Sequence, residues 1–81
     1  MQNLFIIAPG APMEMRIVDD VDLRTLQELV GGYIELVNMP EIDGDMYVNE
    51  EGLLMGLEHN AKASDLTGQY IVGTAVIVKE K

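Results

Sequence analysis

The chain contains no cysteine, and that absence removes a disulfide framework, a thiolate nucleophile and a zinc site of the usual kind in one stroke. It fits a reducing compartment. Histidine is nearly absent too, and a single residue, His59, cannot build a metal site by itself. Basic residues are scarce: five Lys and Arg stand against fourteen Asp and Glu, a formal charge of −9. Such a balance opposes non-specific attraction to DNA, RNA or an anionic membrane and favours basic partners, while also keeping a small protein soluble. No acidic run exceeds Asp19-Asp20 or Glu50-Glu51, so the charge is dispersed. Long apolar runs are missing as well. The opening Met1 to Pro9 has neither the basic flank nor the apolar length of a signal peptide or membrane span. The expectation is a soluble cytoplasmic protein.

What is present is one domain, residues 1–81, with little surface to bury and therefore marginal stability unless something staples it. Self-association is the natural staple, and a homo-oligomer is expected. Leu4 to Ala8 is a short apolar run ended by Pro9-Gly10-Ala11-Pro12, which predicts a strand and a turn. Met13, Met15 and Ile17 alternate with Glu14, Arg16 and Val18 at the period of a second strand. Asp19-Asp20 offers a helix N-cap, Asp22 adds negative charge to the first turn, and Leu23, Leu26 and Leu29 or Val30 follow at helical spacing. Arg24 is placed to pair with Glu28 one turn on.

Gly31 stops that helix through the left-handed conformation a glycine permits. Gly32 is then surplus: it serves either a tight entry into the next strand or the close approach of a ligand to bare backbone. Tyr33 to Val37 reads as a central strand, and Met46 to Asn49 as a short one after the Asp43-Gly44 turn. Leu53, Leu54 and Leu57 form a helical turn or an irregular packed segment, and residues 59–65 a polar loop with room for a brief helical turn. Tyr70 to Val78 is too continuously apolar for an edge strand. The fold class is α+β: a small, mostly antiparallel sheet of about five strands with one short helix packed on one face.

Three blocks, Leu26 to Glu35, then Val48-Asn49-Glu50-Glu51-Gly52 with Met55-Gly56-Leu57 and Asn60, and finally Ile71-Val72-Gly73-Thr74, carry a resemblance. In order and spacing they resemble a phage and mobile-element family known as domain of unknown function 3846. Members commonly have proline after Gly-Leu, where this chain has Glu58. The resemblance implies a viral or prophage origin and supplies no activity.

The residues argue against an enzyme. Glu50 and Glu51 are adjacent, so on an extended segment they point to opposite faces. Ser64, the only serine, has no elbow motif around it. Asp43, Asp45 and Glu50 leave a magnesium site open, without the spacing of a calcium loop. Two binding functions remain. In the first, the chain sequesters a small nucleotide-like host signal, with Gly32, Tyr33 and Glu35 beside the ligand and Asn49, Glu50, Asn60 and Lys62 as a polar rim. In the second, it is an acidic inhibitor or DNA mimic that occupies a basic surface on a host nuclease or another host protein. Neither needs a cofactor or a metal.

Overall fold

The computed structural model describes residues 1–80. Five strands and two helices follow one another: β1 (Gln2–Ile7), β2 (Glu14–Val18), α1 (Leu23–Val30), β3 (Ile34–Val37), β4 (Asp45–Asn49), α2 (Ala61–Thr67) and β5 (Ala75–Glu80). The strands form one antiparallel sheet in the order β2-β1-β5-β4-β3. The α+β class stands.

Two expectations need correction. The segment after Gly32 is not central: β3 is an outer strand whose sheet partner is β4, while the last strand lies in the middle, as its apolar run implied. The cause is burial. Ala75, Val76 and Ile77 are enclosed on both faces, whereas Glu35 and Leu36 stay exposed. The sheet is also covered by more than one helix. On one face α1 places Leu26 and Val30 against Leu4, Ile6 and Val76; on the other, Ala63 of α2 joins Ile7, Val37, Met46, Val48 and Ile77. Strand alternation divides the sheet's side chains between these two cores.

The helix boundaries have local causes. Asp22, rather than Asp19 or Asp20, caps α1, its carboxylate accepting the Thr25 N–H at 2.8 Å. Hydrogen bonds from the Thr25 side chain and then its backbone hold the Asp22 carboxyl below the ordinary aspartate value. Arg24 pairs with Glu28 on the exposed face, as the spacing predicts. Gly31, at φ 82°, ends α1. Asn60 and Gly68 perform the same start and stop for α2.

Gly32 has a different role. A β-carbon there would stand 3.0 Å from the Asn49 amide nitrogen, which donates to the Val30 carbonyl at 3.2 Å. Bare backbone thus lets a β4 side chain satisfy one of the carbonyls left open at the end of α1. The close approach anticipated at this glycine is made by the protein's own asparagine.

Candidate functional site

The floor of the main cleft comes from the β3–β4 register. Glu35 lies opposite Val48 and Val37 opposite Met46, so Glu35, Val37 and Val48 share the face that carries α2. Two later segments rise beside that floor: the turns of Glu50 to Leu54, and Gln69 to Val72 after α2. They enclose a cleft of about 410 Å³. Its bottom is apolar, through Val37, Val48, Ile71 and Val72, and its acidic groups are Glu35, Glu50 and Glu51. Among the described residues no lysine or arginine lines it.

The walls expose apolar surface. Leu54 is 87% and Leu53 71% exposed, and Tyr70 is 67% exposed. Neither leucine packs into the core; both sit in a run of turns from Glu50 to Gly56, one of them a single helical turn. Backbone bonds fix it, from the Met55 N–H to the Glu51 carbonyl at 2.9 Å and from the Leu57 N–H to the Gly52 carbonyl at 3.0 Å. Tyr70 is braced from behind by His59, the two rings lying 4.7 Å apart and 9° from parallel. A stacked, exposed aromatic pair therefore borders the cleft.

The anticipated rim residues fall into separate groups. Glu35, Glu50 and Asn49 meet at this cleft. Asn49 is nearly buried, however, and its amide is engaged: the nitrogen donates to Val30, and the oxygen accepts the Glu51 N–H at 2.8 Å. Asn60 is buried elsewhere. Its amide nitrogen donates to the carbonyls of Ile7 and Gly73, each at 2.8 Å, and its oxygen accepts the Ala63 N–H at 3.1 Å. The structure thus gives both asparagines architectural bonds. Gly32, Tyr33 and Lys62 are outside the cleft lining; Tyr33 is exposed just before β3, and Lys62 lies exposed on α2. Glu51, Leu53, Leu54 and Tyr70 were not among the anticipated residues. The signal for Leu53 and Leu54 was apolar sequence without a period in a turn-rich segment, and that for Glu51 its place beside Glu50.

The other chemical candidates resolve simply. The Ser64 hydroxyl sits 3.1 Å from His59 Nε2, but it also accepts the Ile71 N–H at 2.9 Å, a bond that ties α2 to the following segment. Asp43 and Asp45 line a second cleft of about 270 Å³ with Gln2, Lys79 and Glu80, apart from Glu50. Among the described residues no group of three or more acidic, histidine or cysteine side chains converges as a metal cage, and no helix is long and apolar enough to cross a membrane.

With the geometry in place, comparison with known proteins decides the family. The model for a domain of unknown function, DUF3846, matches residues 1–81. The chain belongs to the DUF3846 family. No curated protein and no solved structure matches it. In this DUF3846 member the cleft between β3, the turns after β4 and the segment after α2 brings acidic groups, an apolar floor and exposed apolar walls together on one concave surface.

Proposed function

We propose that this DUF3846 protein is a non-enzymatic binding protein whose acidic cleft receives a basic, partly apolar segment of a partner protein. The observation that carries this reading is the lining itself: Glu35, Glu50 and Glu51 stand around an apolar floor that, among the described residues, no lysine or arginine lines. Carboxylates close together attract a guanidinium or ammonium group and repel a phosphate. Leu53, Leu54 and Tyr70 supply apolar and aromatic surface for the stem of a long cationic side chain or for its neighbours.

The sheet edge suits such a guest. The outer side of β3 has no neighbouring strand, so an extended segment laid along it gains backbone hydrogen bonds while alternate side chains reach toward the cleft. The phage or mobile-element setting that the sequence resemblance implies would make the partner a basic factor of the host cell and place the interaction in its cytoplasm. Binding alone is enough for such an inhibitor.

Sequestration of a nucleotide-like ligand is the second reading, and one observation favours it: the exposed Tyr70 ring, braced by His59, is a platform on which a base can stack. The charge of the lining favours the protein partner. A titration of the purified protein with a short peptide alternating arginine and leucine, against its glutamate counterpart and against ADP-ribose and a cyclic dinucleotide, separates the two. The expected result is binding of the basic peptide alone, weakened by salt and lost in the Glu35→Gln, Glu50→Gln, Glu51→Gln triple variant. Binding of a nucleotide without the peptide would reverse the order of the readings.

A further inference from the structure

The far edge of the sheet is built in a way that invites pairing. β2 is the outer strand opposite β3, and soluble proteins blunt such edges with charged side chains, lysine above all, or with proline, bulges or a covering loop. Glu14–Val18 contains neither lysine nor proline, and its two charges, Glu14 and Arg16, are of opposite sign, so they leave no net repulsion between two copies of the edge. Its side chains alternate cleanly. Met15 lies opposite Phe5 and Ile17 opposite Asn3, on the face that carries α2, whereas Glu14 lies opposite Ile6 and Arg16 opposite Leu4, on the face that carries α1. Met13, Met15 and Ile17 are 47%, 56% and 47% exposed. Arg16 bonds Glu14 within the same strand.

This pattern complements itself. We propose that β2 pairs antiparallel with β2 of a second copy, about a two-fold axis perpendicular to the sheet at Met15. In that register Met15 faces Met15 of the second copy, Met13 faces Ile17, and Glu14 faces Arg16 in both directions. One face of the junction becomes an apolar strip continuous with Phe5, and the other a cluster of two acids and two bases. The neighbouring registers that keep the faces matched fail on charge. Centring on Glu14 opposes the two glutamates, and centring on Arg16 opposes the two arginines, either of which is destabilising. The charge pattern therefore selects one register as well as one partner, a second copy of this chain. The order β2-β1-β5-β4-β3 leaves both β3 edges, with their clefts, at the outer ends of the doubled sheet. The inference does not depend on what the clefts bind.

Sedimentation velocity over a concentration series tests it, with circular dichroism to check that each variant is folded. Wild type should be a dimer. Glu14→Arg, which opposes like charges twice across the symmetric junction, should weaken dimerisation about tenfold or more, and Arg16→Glu should do the same. Glu14→Arg combined with Arg16→Glu restores opposite charges at both pairs and should restore the dimer. A monomeric wild type overturns the proposal. So does a dimer indifferent to both single swaps, or a folded double swap that stays monomeric while wild type dimerises.

Discussion

Replacing Asn60 with alanine removes a joint that ties three parts of the chain together. The side chain is 1% exposed, and it joins the end of β1 through the Ile7 carbonyl, the approach to β5 through the Gly73 carbonyl and the first turn of α2 through the Ala63 N–H. Alanine strands two carbonyls, each costing about 1–3 kcal/mol if left without a partner, and removes an N-cap worth about 1 kcal/mol. A total loss of about 3–7 kcal/mol is expected, against about 4–12 kcal/mol of stability for a domain of 81 residues. At about 4–8 °C per kcal/mol, the midpoint should fall by at least about 12 °C. Asn60→Ser keeps an oxygen for the cap but loses both donors, so it should recover about 1 kcal/mol of the alanine loss. Calorimetric melts of the three proteins measure this directly. If Asn60→Ala melts within a few degrees of wild type, the amide is not the joint described, and a role in ligand binding regains its place.

Further outcomes follow from other contacts. Gly32→Ala should destabilise by about 1–3 kcal/mol, because its β-carbon must displace the Asn49 amide. In an Asn49→Ala background most of that cost should vanish, so a double-mutant cycle by urea denaturation should give a coupling of at least about 0.5 kcal/mol. The Asp22 carboxyl is held below its ordinary value by Thr25, so its stabilising effect is present above the unfolded aspartate range and is lost as pH falls through the lowered folded value. Melts across acid pH should therefore fall less steeply for Asp22→Asn, which keeps the cap but does not titrate. Tyr70→Ala should weaken binding of a basic, leucine-containing peptide while leaving the melting midpoint nearly unchanged, since the ring is mostly exposed; surface plasmon resonance beside a thermal melt checks both.

The strands could be read from sequence because their alternation is local: Met13 to Val18 and Met46 to Asn49 carry the strand period in their own side chains. Sheet order is not local. Tyr33 to Val37 looked central by composition, and only the insertion of β5 between β1 and β4 leaves it outside. The second helix escaped for another reason. Ala61–Thr67 is short, and its buried residues are Ala63 and Thr67, so no large apolar stripe announces it; its signals were the caps, Asn60 and Gly68. Half of the candidate site was visible, in Glu35 and Glu50 flanking two glycine-marked turns. Tyr70 and Leu54 join them only through tertiary folding. Asn49 and Asn60 show the converse, since a polar residue in a loop block reads alike whether it faces a ligand or satisfies the backbone within.

The central claim is that the cleft of Glu35, Glu50, Glu51 and Tyr70 receives a cationic segment. Its most direct test is an amide-resolved NMR titration with the arginine-leucine peptide. Saturable shifts should concentrate at Glu35, Val48, Glu50 to Leu54 and Gln69 to Val72, diminish with salt and be absent in the triple glutamine variant. Shifts scattered over the whole acidic surface, or none at peptide concentrations that saturate other acidic clefts, would contradict it.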